Sequence, residues 1–520
     1  MAGYIGARSV SLSATVANAQ DVTATDTTPE VTIINNTHED TDGGREGKVI
    51  FKGQQSGGEE STLAEIQGSH DGTSDDEKGD LIFKTNDGSD GASPTERLRI
   101  DSNGSILTAT LGTDNVHLGE GAGASIASGG NNNVTIGKDA GKSINTGTQN
   151  TIVGALAGDA LTTGGLVAVG YAAGSAVQTG VGNVFMGELA GTAVTSNNNT
   201  AVGSQALSSA VSGHSNASFG HDAARLTTGS RNTCLGNDAG AAATSIDDCV
   251  LIGSGAGGGA TLTGHDNIMV GSSAGSVMTS GAANVFIGHQ SGVATTTSSE
   301  NVAIGFQTMY VGDSGGTNTA VGGQALNKVT GFDNSVLGFA AGYEITSGHN
   351  NLCLGHNAGR SSSPSGSITT GNDIICLGDD DISSLFCADT SISSSDSRDK
   401  ADITNFTIGL NWVKDLRPVT YRWDKRSWYG TDEEPYGTPD GSKKKTKVNI
   451  GFLAQEALEV EKANGFGDSA DNMLVCNLTE DGQRYGMKYE RLVPILVNAI
   501  KELSAKNDAL ETRIAALEAE

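Results

Sequence analysis

Three groups of residues in this chain have types and spacings that could support chemistry. The first is the run Ser393-Ser394-Ser395-Asp396-Ser397-Arg398-Asp399-Lys400. A serine hydroxyl is a weak nucleophile and needs an adjacent base. No histidine follows His356, so a serine–histidine pair cannot form in the C-terminal region; a lysine can serve where burial lowers its pKa. On residue types alone, a Ser-Asp pair before a charged stretch reads as a helix cap or turn. The second group, Gly137 to Ser143 (GKDAGKS), is one residue short of a phosphate-binding loop because position 136 is Ile. The third is His221, His289 and His356, which share the place after a recurring glycine but lie 68 and 67 residues apart. They cannot share a metal within one chain; a histidine triplet on a three-fold axis stays open. No ligand cluster with metal spacing appears, and no cofactor or metal is expected.

The elements that must position these residues are set by a repeat. Glycine returns every 16 to 18 residues from Gly119 to Gly355, and once more at Gly378 after a longer insert. The text around each is Asn-φ-x-φ-Gly-x-x-Ala, with φ apolar; Asn199 to Leu207 (NTAVGSQAL) and Asn318 to Leu326 (NTAVGGQAL) nearly coincide. Asn stands four before the glycine in 13 of the 16 copies, and Ala three after it in 13. A fixed period this short is too small for a helix pair and marks a β-solenoid. Each unit reads as one or two short strands with corners, because apolar residues two apart, such as Val302 and Ile304, have strand spacing. Stacked coils align like residues into ladders of Asn, Ala and apolar side chains. The middle strand residue is also often apolar, as in Phe185, Met269, Phe286 and Cys234. A thin coil offers little interior, so this second face is expected to pack against other chains.

Composition agrees with a repeat rod. Charged residues make up 18%, aromatics 5%, and glycine supplies 74 of the 520 residues. A formal net charge of −28 argues against nucleic acid or an anionic membrane as partner. Cys234, Cys353 and Cys376 occupy one strand position of different coils and Cys249 starts another such strand, the placement of apolar filler rather than of disulfides. The start (MAGYIGARSVS) lacks the apolar core of a signal peptide, and no apolar run is long enough to span a membrane. Synthesis in the cytosol without a membrane anchor is expected.

Four regions separate: 1–45, Thr/Asp/Asn-rich with strand candidates Ser9 to Val16 and Val31 to Asn35; 46–110, with strands at Lys48 to Lys52, Asp80 to Lys84 and Glu96 to Ile100 divided by turns such as Gly68 to Gly79; 111–394, the solenoid; and 395–520, a globular α+β domain. No proline falls between Pro94 and Pro364, and all three tryptophans, Trp412, Trp423 and Trp428, lie beyond the solenoid. Over 492–520, Leu496, Leu503, Leu510 and Leu517 recur every seven residues with Ile500, Asn507 and Ile514 between them, a short parallel coiled coil.

Beyond Ser395, four further segments follow in order: Asp399 to Leu416, Arg417 to Trp423 (RPVTYRW), Asn449 to Glu456 (NIGFLAQE) and Tyr489 to Leu503 (YERLVPILVNAIKEL). This series resembles the C-terminal intramolecular chaperone and auto-processing domain of phage tailspikes and tail fibres of the endosialidase type. The resemblance implies a domain that trimerises, helps the upstream β-structured fibre fold and then cuts itself off. It implies Ser395 as nucleophile, Lys400 as base, Asp396 and Arg398 at the other fixed places of the motif, and the Ser394–Ser395 bond as the one broken. Asp399 stands beside Lys400 where the family pattern has an apolar residue; a neighbouring carboxylate favours the charged lysine, so slow or incomplete cutting is expected. The NIGFLAQE and YERLVPILV segments read as fold and trimer contacts, and the lysine run 443–447 as a solvated loop. Arg45 to Ile106 looks like the strand repeats of phage tail fibres, and NTAVG and NVAIG are similar to the head repeats of trimeric bacterial surface adhesins.

The expected fold class is therefore mainly β: a homotrimeric β-solenoid or β-prism rod with 16–18-residue coils, then a small α+β chaperone domain ending in a coiled-coil helix. The expected function is that of a phage tail fibre, made in the host cytoplasm and carried on the virion tail. Region 1–45 would dock to tail or baseplate proteins. The rod would bind a host cell-surface receptor, a polysaccharide or an outer-membrane protein, through grooves between chains or the end near Asp381 to Ser394. The alternatives are a tailspike depolymerase, which needs paired carboxylates in a groove, and a cellular trimeric adhesin, which needs the signal peptide and barrel anchor that the sequence lacks.

Overall fold

The computed structural model describes residues 45–70, 77–86, 88, 93–104, 106–108, 112–210, 212–382, 384–385, 395–431, 434–479 and 481–519. The two strand candidates before residue 45, Cys387 and Ser394 lie outside these. The chain forms two compact units, Met1–Asn199 and Thr200–Glu520.

Among the described residues, the first unit begins with a five-stranded antiparallel meander, β1 (Gly47–Gln54), β2 (Glu60–His70), β3 (Gly79–Thr85), β4 (Thr95–Ile100) and β5 (Ile106–Thr108), paired in chain order. Strands β2 and β5 were not expected from the sequence. β2 (ESTLAEIQGSH) is rich in polar residues, yet it pairs on both sides. Its Glu65 is buried between Lys48 and Lys84, at 3.5 and 3.2 Å, which compensates the carboxylate. The turn expected at Gly68 to Gly79 is shorter, because pairing continues to His70 opposite Gly79.

Parallel strands of three or four residues follow, one per coil, from Val116–Leu118 to Asn183–Met186 in the first unit. In the second unit they run from Thr200–Val202 to Ile375–Leu377. The fold is mainly β, a solenoid with coils of about 17 residues. Strand neighbours are always in register, so like residues stack: Val302, Ala303 and Ile304 lie beside Thr319, Ala320 and Val321.

The repeat glycine is required by backbone approach. A Cβ on Gly305, at φ +140°, would lie 2.6 Å from both the carbonyl carbon and the oxygen of Gly322 in the next coil. The repeat asparagine is buried and forms an amide ladder. In the second unit, the backbone N–H of Asn318 donates to Asn301 Oδ1 at 3.0 Å, and that of Asn301 donates to Asn284 Oδ1 at 3.0 Å. Each side-chain amide thereby satisfies backbone that the short strands leave unpaired.

The two faces of the strand are the reverse of the expectation. The middle residues, Phe185 in the first unit and Leu251, Met269 and Phe286 in the second, are fully buried within their own coils. The flanking apolar residues look outward instead, Leu337 at 55% exposure and Leu235 at 47%. The coil has an interior because a second row, seven residues after the glycine and mostly apolar, folds back over the strand. Ile144, Leu161, Val177, Met278 and Ile345 belong to it and are buried. Around Gly342, Ile345 of this row and the middle residue Val336 converge, each with an atom 3.1 Å from where a Cβ would stand.

Beyond the solenoid, three helices, α1 (Leu410–Asp415), α2 (Ala454–Ala463) and α3 (Leu492–Glu518), pack with two small hairpins. Trp412, Val475, Leu492 and Ile495 form the core, with Phe406, Phe452 and Phe466 around it. Buried Glu461 of α2 accepts the backbone N–H groups of Leu474, Val475 and Cys476, fixing the edge of that core. Only the first turns of α3 are buried; Ile500, Leu503, Leu510, Ile514 and Leu517 are all more than half exposed in the single chain.

Candidate functional site

Ser395 to Lys400 forms one tight loop at the start of the C-terminal domain. Asp396 caps a single turn of 3-10 helix, Ser397–Asp399, by accepting from the backbone N–H of Arg398 at 2.9 Å. The Arg398 guanidinium folds back on the same carboxylate, Nε at 3.1 Å and Nη2 at 2.6 Å. The hydrogen bonds from Arg398 hold the Asp396 carboxyl below the usual carboxylate range. Lys400 leaves the turn in extended conformation (φ −115°, ψ 131°), and its side chain reaches back across it. Its Nζ donates to Ser395 Oγ at 2.6 Å and to Ser395 O at 3.4 Å.

Four sequence-chosen residues thus meet in two pairs: Ser395 with Lys400, the alcohol and the amine, and Asp396 with Arg398, which shapes the turn that brings the first pair together. Ser395, Arg398 and Lys400 are exposed and Asp396 is half-buried. An amine in hydrogen-bond contact with a hydroxyl can take its proton and return it to a leaving nitrogen, provided that water is excluded. The single chain does not supply that exclusion. Asp399, beside Lys400, makes no ion pair with it among the described residues.

The remaining motif segments build the support. RPVTYRW and NIGFLAQE are the two sides of one hairpin, with Val419–Tyr421 antiparallel to Asn449–Gly451. Arg417 Nε meets Glu456 Oε2 at 3.0 Å, joining the ends of the two segments. The Tyr489 hydroxyl accepts from the Phe452 N–H at 3.2 Å, so YERLVPILV meets NIGFLAQE as a fold contact. Asn498 of α3 donates to Phe406 O at 2.7 Å and so ties the helix to the segment that leads back to Lys400.

The other groups singled out in the sequence sit apart. GKDAGKS is ordinary solenoid text around Gly137. His289 stacks on Phe306 and His356 on Phe339, with centroids 5.7 and 5.8 Å apart. His221 lies beside Asp222 and Asp238, one ligand atom of each within 4.8 Å of the others, with the histidine exposed and both aspartates half-buried, a group that the sequence did not show. Cys234, Cys249, Cys353, Cys376 and Cys476 are buried and free. Burial pushes the thiols of Cys234, Cys353 and Cys476 up to about 12. The lysine run 443–447 is exposed, with Lys445 Nζ 4.7 Å from the Trp428 ring centre. No sequence motif marks the place where the C-terminal domain meets the last coil. Asp380 and Arg484 pair there, 104 residues apart in the chain. The only signal in the sequence was the overlong interval from Gly355 to Gly378.

Comparison with protein families matches residues 395–466 to the family described as chaperone of endosialidase. The match begins at Ser395 and takes in the whole loop and the hairpin. No curated protein and no solved structure matches the chain.

Proposed function

We propose that this chain is a trimeric phage tail fibre, carried on the virion and binding a host-surface polysaccharide or outer-membrane protein. Its C-terminal domain assembles and folds it, then cuts the Ser394–Ser395 bond. The observation that carries the cutting is the 2.6 Å contact between Lys400 Nζ and Ser395 Oγ at the first residue of the family match. In the proposed reaction, Ser395 Oγ attacks the Ser394 carbonyl carbon while Lys400 takes the hydroxyl proton. The C–N bond breaks as Lys400 returns that proton to the departing Ser395 nitrogen, leaving an ester on Oγ. Water then hydrolyses the ester, which gives a carboxylate at Ser394 and restores the Ser395 hydroxyl.

Two observations support assembly. The outward strand row of the solenoid and the outer row of α3 are both apolar and unsatisfied within the chain. Both are repeated along an axis, the form that a symmetric partner of the same chain covers. The matched family implies trimerisation, and packing of three chains would also shield the Ser395–Lys400 pair from water. Region 1–45 is the attachment to the tail or baseplate in this reading.

The test is a denaturing gel with intact-mass analysis of wild type, Ser395→Ala and Lys400→Ala, and light scattering of each. Two fragments ending and beginning at Ser394–Ser395 in wild type alone, at three times the 52.7 kDa chain mass before cutting, are expected. A single full-length band in all three would remove the cutting from the proposal, and a monomer would remove the assembly.

A further inference from the structure

The last coil is built differently from the others. Gly355 and Gly378 are 23 residues apart where every earlier interval is 16 to 18. The extra residues bring backbone carbonyls to the surface that faces the C-terminal domain. Arg484 donates to two of them, Nη1 to Ser363 O at 2.7 Å and Nη2 to Ser361 O at 2.5 Å. The same two nitrogens reach the Asp380 carboxylate at 2.9 and 2.7 Å.

Asp380 follows the last strand and its side chain is only 5% exposed. Besides Arg484, its carboxylate accepts from Lys425 Nζ at 3.2 Å and from the Ser427 hydroxyl. Among the described residues, every side-chain donor to this buried carboxylate belongs to the C-terminal domain. Lys425 is backed by Trp423 and Trp428, whose ring centres lie 5.2 and 5.6 Å from its Nζ. Arg484 Nε also donates to the Tyr436 hydroxyl at 3.2 Å, and that hydroxyl donates to Asp481 at 2.9 Å. Asp481 itself lies against Gly366 in the insert, where a Cβ would come within 3.0 Å of Oδ2. A buried carboxylate supplied by one body, with its cations and hydroxyl supplied by the other, is a matched interface whose halves are costly to separate.

We infer that the lengthened last coil is a docking site for the C-terminal domain, and that the Asp380 latch retains that domain on the fibre end whether or not the Ser394–Ser395 bond is intact. The inference deepens the reading above in one respect, what a cut accomplishes: it leaves two chains held together by the latch.

The test uses the full chain with Ser395→Ala, so that self-cutting plays no part, and with a recognition sequence for a site-specific protease inserted between residues 389 and 394. After complete cutting, the protein is diluted from micromolar to nanomolar concentration and run on a sizing column. The fragments are expected to co-elute. Arg484→Met and Asp380→Asn, each breaking a buried pair, are expected to weaken retention on the order of a hundredfold or more. Lys425→Met, which leaves the Asp380–Arg484 pair in place, is expected to weaken it by only about tenfold. Far-UV circular dichroism of each uncut variant checks the fold. Separation of the cut parent protein at micromolar concentration would overturn the inference, as would retention by all three variants equal to that of the parent. Failure of the wild type to cut itself would sink the Ser395 reading and leave this result unaffected, because the protease is added.

Discussion

Replacing Asn301 by Ala isolates the contribution of one rung of the amide ladder. The side chain is fully buried and makes four hydrogen bonds: Nδ2 to Asn284 Oδ1 and Ser299 O, and Oδ1 from the backbone N–H and the Nδ2 of Asn318. Most partners survive its loss. Asn284 Oδ1 still accepts the Asn301 backbone N–H, and Asn318 Nδ2 still donates to Gly315 O and Gly331 O. Only the Asn318 backbone N–H is left buried without its acceptor. One such orphan costs about 1–3 kcal/mol, and the small cavity adds about 1 kcal/mol, for a total of about 2–4 kcal/mol. Asn301→Asp keeps the acceptor but turns a carboxylate oxygen towards Asn284 Oδ1, so it should cost more at neutral pH and recover partly in acid. In a solenoid each coil contacts only its neighbours, so the loss should be local. Hydrogen exchange read by mass spectrometry on peptides spanning 284–318 and on distant coils measures it, with exposed Thr297→Ala as control. Unchanged protection of the Asn318 amide in Asn301→Ala would refute the ladder argument.

Gly305→Ala should cost ~3 kcal/mol or more, through a left-handed φ and a clash with the Gly322 carbonyl; a soluble variant melting with wild type would contradict this. The buried thiols should resist alkylation: Cys234 and Cys353, pushed up to about 12, carry almost no thiolate at pH 8. Intact-mass analysis after iodoacetamide treatment should find them unlabelled until the protein is unfolded. Docking of the C-terminal domain should depend on acid in one direction. Burial pushes the Asp380 carboxyl up, but Arg484, Ser427 and Lys425 outweigh it and hold it below its ordinary value of 3.8. A depressed carboxyl stabilises the docked state above that value and loses the contribution as the pH falls through the docked one. Retention of the cut protein, read on the same column, should be steady above pH about 5 and weaken below about 3.8; retention that strengthens in acid would contradict the assignment.

The solenoid was legible because its glycine answers a local demand, a backbone approach that no other residue meets. Its inner face was not legible. The row seven after the glycine varies from Ile144 to Thr227 to Ala243, all of them buried, so it carries no constant residue type that a local pattern could show. Without that row a 17-residue coil has too little interior for the middle residues, which is why the sequence pattern points them outward. β2 escaped notice because its polar residues are compensated by lysines from strands on either side, a relation no local pattern carries. The loop at Ser395 was found by its motif, but the contact between serine and lysine depends on a turn that Asp396 and Arg398 close. The latch was invisible because its two halves are 104 residues apart.

The seat of the C-terminal domain on the last coil has a consequence for the order in which the second unit can form. A coil has neighbours only before and after it, and a first coil standing alone has ordered its backbone with little to show for it. The Asp380 contact gives the final coil such a neighbour, made of ordinary globular structure that needs no repeat to fold. Growth can then add one turn at a time towards the amino end, opposite to the direction of synthesis. In that order the coils of the second unit translated earliest would be the last to form, and a chain ending before Arg484 would lack the contact that starts the growth.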